Sequence, residues 1–319
     1  MSNAGMDEID DLFDPIAVPE DMEPGMTDIL PRGYLSVSQV KMFLKCPLSW
    51  KLRYIDGLAM GTPARLFQGV KVHKAVEAVL EAKLRTGVLP PLELATDTFV
   101  TEFDQDKQRV DDWEGATEGS VKDTGITCTK VYYQEAAAQA TPVAVEKTFA
   151  TVITTADGKI RLPVLGRIDS VQVQTGTEQE YQDIREQVVA ESQKYEDETA
   201  TEMPKVSKPL RLHDLKVVTD KWGEGDIKND LQFMLYAGAE HVPDIQVDQL
   251  VKGRAKVPRP RYEALAEVLT NAEVQHGVAV IEGVARSIAT AHFPPTDPSN
   301  WWCSEKWCSM WRHCRGKQK

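Results

Sequence analysis

Two ionisable residues, Asp214 and Lys216, sit two positions apart inside the mostly apolar stretch Leu210-Arg-Leu-His-Asp-Leu-Lys-Val-Val-Thr219. The stretch predicts a buried strand, and a strand alternates its faces, so Asp214 and Lys216 share a side with Leu212 while Leu215 and Val217 take the other. A carboxylate and an ammonium in such a place cost free energy unless they serve each other or a metal ion. The pair is therefore either a buried salt bridge or half of a metal-dependent site. Other chemistry-bearing residues lie on separate segments: His73, Glu146, Asp169 within Gly166-Arg-Ile-Asp169, and Gln232 with Tyr236 one helical turn apart. Cys46, Cys128, Cys303, Cys308 and Cys314 complete the set, and clustered cysteines in an intracellular chain read as metal ligands before disulfides.

The elements that must position these groups follow from periodicity. Ser36-Val-Ser-Gln39 has capping-box spacing, and Val40, Phe43 and Leu44 continue at helical intervals, so a helix carries Cys46 at or near its end. A second helix runs from Gly69 to about Leu84 and places His73 and Glu77 on one face. Residues 92–140 predict further helices around a Gly-containing loop. From Pro142 the period becomes that of strands: Val143–Phe149, Ala150–Thr154 and Leu162–Val173, with Asp157-Gly158 as a hairpin turn. After the Asp214 strand comes a helix with Leu231, Met234 and Leu235 on one side, and 261–290 reads as a long helix.

At 319 residues the chain can bury a large core. Its net charge of −12 is unevenly spread: residues 1–31 hold nine acids and no Lys or Arg, and residues 176–206 nine acids and three bases, leaving +3 elsewhere. Global charge therefore does not exclude a nucleic-acid partner. Residues 1–31 read as a disordered acidic leader and 176–206 as an acidic insertion or mobile loop. No apolar run approaches the ~20 residues that span a bilayer, which predicts a soluble, cytoplasmic protein with no membrane partner. No Gly-x4-Gly-Lys-Ser/Thr phosphate loop is present, so no NTP-driven motor is expected in this chain.

Taken in order, Gly69-x3-His73, Gly166-x-Ile-Asp169, Asp214-x-Lys216 and Gln232-x3-Tyr236 resemble the PD-(D/E)XK nuclease superfamily. The likeness is to its RecB-like branch, which includes CRISPR-associated iron–sulfur exonucleases and phage-encoded relatives. The opening Ser36-Val-Ser-Gln39, Cys46-Pro-Leu and Tyr54, and the terminal Cys303-x4-Cys308-x5-Cys314, also resemble that branch, so the likeness spans roughly residues 34–315. It implies an α/β fold with a mixed central sheet flanked by helices, a helical N-terminal part over about 34–140 within a nuclease domain at 34–300, and a cysteine metal–sulfur segment at 301–319 joined by Cys46.

The implied activity is metal-dependent hydrolysis of phosphodiester bonds from DNA ends, on single strands or end-resected duplexes, in recombination, repair or phage DNA metabolism. For a phage-encoded chain the compartment would be the host cytoplasm. His73, Asp169, Asp214 and the Leu215 carbonyl would hold Mg²⁺ or Mn²⁺. Lys216 would position or deprotonate the attacking water, a role that burial favours by lowering its pKa. Gln232 and Tyr236 would steady the DNA and the lysine, and Glu146 would assist from behind the metal ligands. Cys46, Cys303, Cys308 and Cys314 would bind a [4Fe-4S] cluster shielded by Trp301, Trp302, Trp307 and Trp311. The family's commoner first gap is two residues where this chain has four, which keeps zinc open, with His313 as a substitute ligand. Cys128 reads as a small buried hydrophobe. Lys252, Arg254, Lys256, Arg259 and Arg261 form an acid-free basic run that could grip phosphates, and Trp50, Tyr54 and Trp222 could stack bases. A helicase, annealing or recombination protein would act in trans. The alternatives are a catalytically weak DNA-binding or assembly module of the same fold and a structure-specific endonuclease.

Overall fold

A computed structural model of the chain describes residues 33–155, 160–192, 204–253 and 259–315, with Leu30 and Gly158. Most of the acidic leader, Asp157, Arg254 and Lys256 lie outside the described residues. In chain order the elements are β1 (Leu35–Ser36), α1 (Val37–Lys45), α2 (Pro47–Tyr54), β2 (Thr62–Pro63), α3 (Ala64–Thr86), α4 (Leu92–Asp106), β3 (Val110–Asp112), α5 (Glu118–Tyr132), β4 (Pro142–Thr154) and β5 (Arg161–Val173). They continue with α6 (Glu178–Ser192), β6 (Leu210–Val218), α7 (Leu231–Glu240), β7 (Asp244–Val251), β8 (Arg261–Val268), α8 (Asn271–Ala289) and α9 (Trp311–Cys314). No described helix is long and apolar enough to cross a membrane.

The chain divides into two compact units, the larger made of Pro63–Phe149 and Arg167–Val274. Its mixed sheet is built on β6, which pairs antiparallel with β5 (Ser170 opposite His213) and parallel with β7 (Asp214 opposite Val247); β7 pairs antiparallel with β8. A parallel neighbour needs a crossover, and α7 supplies it between β6 and β7. On the helical side Phe67, Phe99 and Phe103 are fully buried, and Phe67 meets Phe103 edge-on with centroids 5.1 Å apart. The smaller unit comprises Met1–Thr62, Ala150–Gly166 and Gln275–Lys319. There β1 pairs parallel with the first half of β5, Leu35 opposite Val164. Trp50, with no exposed surface, stacks on Phe293 at 5.7 Å, and the Leu48 N–H donates to the Pro294 carbonyl at 3.2 Å. These contacts bind the N-terminal helices to the segment after α8.

Several expectations are corrected. Residues 261–290 are not one helix: Arg261–Val268 is a strand, and the helix begins only at Asn271. Ala264, Leu265, Ala266 and Glu267 favour helix intrinsically, but the open edge of β7 offers them a full ladder, and tertiary pairing outweighs propensity. Periodicity does not announce β7 because its polar Gln246, Asp248 and Gln249 break the apolar pattern, and two of them are buried. The acid-rich 176–206 segment begins as helix α6, not as a loop. Tyr181, Ile184 and Val188 are buried beneath its acidic face, and Arg185 donates to the Leu84 and Arg85 carbonyls at 3.2 Å, satisfying the end of α3. The capping box at Ser36 is half formed: its Oγ accepts from the Gln39 N–H at 3.3 Å, while the Gln39 amide reaches the Tyr34 carbonyl.

Candidate active site

Four elements of the larger unit bring the sequence-selected residues together. α3 begins at Ala64, ahead of the expected Gly69, and presents His73, whose Nδ1 lies 3.3 Å from Asp169 Oδ2. Asp169, on β5, is held from the next strand: the Leu215 N–H donates to the same Oδ2 at 2.7 Å. On β6, Lys216 Nζ stands 2.7 Å from Asp214 Oδ2. α7 completes the set because Asp230 caps it, its Oδ1 accepting the Gln232 N–H at 2.8 Å and fixing Gln232 in the first turn. The Gln232 amide then donates to Asp214 Oδ1 at 2.6 Å and to the Tyr236 hydroxyl at 2.8 Å, while its carbonyl accepts from Lys216 at 3.2 Å. Tyr236 in turn donates to the Arg167 carbonyl at 2.5 Å. One glutamine thus orients the acid, the base and the phenol.

The electrostatics are those of a crowded half-open cleft. Asp214 is 2% exposed, against 25% for the Lys216 side chain. Burial, with Asp169 nearby, pushes the Asp214 carboxyl up to about 6 although Lys216 pulls it down. Burial alone would raise Asp169, but His73 and the Leu215 N–H hold it below the ordinary value; His73 moves the other way, burial lowering it and Asp169 raising it to a net increase. For Lys216, the expectation of a lowered pKa is corrected. Burial does act downward, yet the carboxylates of Asp214 and Asp169 outweigh it and the net shift is upward. The ammonium also lies 5.7 Å from the Phe233 ring centroid and 5.9 Å from that of Trp222, a setting that favours the charged form. Lys216 is therefore a fixed cation in the metal-free protein.

Glu146 approaches from β4 through a backbone excursion, φ +48° in mid-strand. It pairs with Arg167 at 3.3 Å, and burial, Asp169 and Glu77 push it up to about 7. No sequence signal marks this bend, since no glycine stands there. Glu77 shares the face of His73, as expected, and pairs with Lys74 at 3.0 Å.

Among the described residues no group of three or more His, Cys, Asp and Glu side chains is drawn into metal-holding geometry. Asp214 is nonetheless buried with its Oδ2 facing the Lys216 ammonium at 2.7 Å and its Oδ1 held by the Gln232 amide at 2.6 Å. Two carboxylates, Asp169 and Asp214, with the His73 imidazole beside them are a donor set that fits a divalent ion with hard-ligand preference, Mg²⁺ or Mn²⁺. Bound there, such an ion would neutralise a phosphate and acidify a water. The protein's own groups would orient the reactants: Gln232 contacts both Asp214 and Lys216, and the Lys216 cation would offset charge developing on a phosphoryl oxygen.

The opposite face of β6 carries a second acid–base pair that sequence reasoning missed. His213 Nδ1 meets Asp248 Oδ2 at 2.9 Å, and Asp248 Oδ1 accepts from Tyr262 at 2.6 Å and from Gln246 at 2.7 Å. The pair lines a polar cavity of about 320 Å³ with Tyr132, Gln139, Gln172 and Arg211. None of the sequence-selected site residues lines that cavity. Its sequence signal was His213 beside Asp214, hidden because its partner lies on the unanticipated β7.

In the smaller unit Cys46, Cys303, Cys308 and Cys314 are free thiols. Cys46 ends α1 as expected, and Cys308 is raised by burial and by the charges of Cys46, Cys303 and Cys314. The shielding expected of four tryptophans is only partly present: Trp302 and Trp311 are half-buried, but Trp301 is 66% exposed and Trp307 43%. Trp50 and Tyr54 are core residues, 0% and 3% exposed, and cannot stack bases; Cys128 is buried, as read from the sequence. Of the basic run, Lys252 is half-buried and lowered by that burial, Arg259 is exposed, and Arg261 pairs with Glu263 at 2.6 Å.

A sheet-borne acid pair, a lysine held by a glutamine and a flanking imidazole thus meet in one place. Residues 34–196 match the family model described as the PD-(D/E)XK nuclease superfamily. The chain belongs to that superfamily, which indicates a nuclease, and the mixed sheet flanked by helices is consistent with its core. No curated protein matches the sequence. Among solved structures, one called "Putative exonuclease" from Eubacterium rectale aligns with a TM-score of 0.48 at 12% identity, over 91% of this chain and 92% of that one. One called SSO0001 aligns with a TM-score of 0.42 at 9% identity, over 98% and 94%.

Proposed function

We propose that the protein is a Mg²⁺- or Mn²⁺-dependent deoxyribonuclease that shortens DNA from its ends, with His73, Asp169 and Asp214 holding the metal and Lys216, Gln232 and Tyr236 completing the site. The observation that carries this reading is the Gln232 bridge, which ties Asp214, Lys216 and Tyr236 into one unit beside the His73–Asp169 pair. A structural salt bridge needs no such convergence of a carboxylate, an ammonium, an amide and a phenol. The basic residues Lys252, Arg254, Lys256, Arg259 and Arg261 would meet the phosphate backbone.

The reading extends to the four cysteines as ligands of a [4Fe-4S] cluster. The donor chemistry suits it: four free thiols, with Cys308 feeling the other three, and the N-terminal helices held to the segment after α8 by the Trp50–Phe293 stack. Zinc is the second reading, favoured by the wide Cys303–Cys308 gap. Anaerobically purified protein should be brown with broad visible absorbance; a colourless protein holding zinc would replace the cluster.

The test is cleavage of end-labelled linear single- and double-stranded DNA and of closed circles with Mg²⁺ or Mn²⁺. Progressive shortening of linear DNA, survival of circles and loss of activity in Lys216→Ala and Asp169→Ala are expected. Cut circles would make the protein an endonuclease, and DNA binding without cutting would leave a binding module.

A further inference from the structure

Trp301 and Trp307 expose 66% and 43% of their surfaces although their rings touch, centroids 5.5 Å apart and planes at 88°. Exposed indoles in contact are an apolar patch of the kind that marks a binding surface. The patch is also cationic. Lys306 Nζ lies 4.7 Å from the Trp307 centroid, Arg315 lies 5.4 Å from that of Trp311, and Arg312 is exposed. From Trp301 to Lys319 the chain carries five Lys and Arg and one acid, Glu305. A ligand that offers flat apolar faces and regular negative charge together matches both properties, and a single-stranded nucleic acid does so while a duplex hides its faces.

We propose that Trp301, Trp307 and Lys306 form a platform that stacks the bases of single-stranded DNA and contacts its phosphates. The choice of DNA rests on the nuclease reading above. Trp301 and Trp307 supply sequence-tolerant stacking, and Lys306 supplies the salt-dependent part. The indoles expected to cover a cluster thus face outward to the substrate.

The test uses the full-length protein and a fluorescein-labelled oligothymidylate of about twenty nucleotides, without added divalent ion, at about 50 and 200 mM salt. The double variant Trp301→Ala with Trp307→Ala should bind roughly thirtyfold more weakly or worse. The double variant to Phe should retain most of the affinity, and Lys306→Glu, at an exposed position, should weaken binding and lower the salt slope by about one. Melting temperatures report whether each variant folds. Unchanged affinity in the folded Ala variant, or equal losses in the Ala and Phe variants, would overturn the platform. So would a concentration-dependent dimer that the Ala variant dissolves while DNA binding persists, since the patch would then join two copies. If wild type binds through the tryptophans but cuts nothing, the platform stands and the nuclease reading falls. If wild type cuts and the Ala variant binds normally, the reverse holds.

Discussion

β6 contributes to a carboxylate–base pair on each face, Asp214 with Lys216 on one and His213 with Asp248 of β7 on the other, and the two pairs are built to opposite specifications. On one face Asp248 is buried with three donors on its two oxygens, from His213, Tyr262 and Gln246, and its pKa stays low because those donors and the imidazole outweigh burial. On the other, Asp214 is equally buried and meets Lys216 and Gln232, yet burial and the nearby Asp169 carboxylate push its pKa up to about 6. A buried carboxyl whose charged form the fold favours adds stability at neutral pH, whereas one whose charged form burial disfavours costs free energy there. The contrast accords with the proposed site, since a cation bound at the Asp214 face would offset that cost.

Single substitutions on the two faces should give opposite phenotypes. Lys216→Ala or Asp214→Asn should lower cleavage by roughly a thousandfold or more while leaving the melting temperature close to wild type. Asp248→Asn should do the reverse, costing about 2–4 kcal/mol of stability by stranding buried donors while specific activity of the folded fraction stays within about threefold. A chemical-denaturation series and a cleavage assay on the same preparations separate them.

Acidity sharpens the contrast. Asp214 near 6, Glu146 near 7 and a raised His73 all have folded pKa values above their ordinary ones, so their stabilising contributions are present at low pH and fade as pH rises through those values. The metal-free protein should therefore lose a few degrees of melting temperature between about pH 5 and about pH 8, and Mn²⁺ should flatten that slope. Asp248 and Asp169, depressed in the fold, contribute above the ordinary carboxylate range and lose that contribution only as pH falls through their folded values. A constant melting temperature across that interval would contradict the assignment. The smallest effect is at Tyr236→Phe, which removes the hydrogen bonds to Gln232 and the Arg167 carbonyl and should slow cleavage roughly tenfold, about 1.4 kcal/mol.

How much of this was legible in the sequence depends on the range of the interaction. Helix and strand periods disclosed α3, β5, β6 and α7, and ordered motifs selected His73, Asp169, Asp214, Lys216, Gln232 and Tyr236, because each acts through spacing within its own element. What escaped was set by partners distant in sequence. Arg261–Val268 took strand form because β7 needed an edge partner, and Asp248 became buried through β6. The sign of the Lys216 shift turned on whether burial or two carboxylates dominates, a question of distances that spacing does not answer. Likewise the exposure of Trp301 and Trp307 is invisible in a run that reads as a wrapped cluster.

The most direct test of the two-faced strand is cleavage per folded molecule, measured with Mn²⁺ on end-labelled linear DNA for wild type, Asp214→Asn and Asp248→Asn in parallel. The account predicts that Asp214→Asn is folded and inert and that Asp248→Asn is less stable and active. An active Asp214→Asn, or an inert but fully folded Asp248→Asn, would contradict it and move the chemistry to the other face.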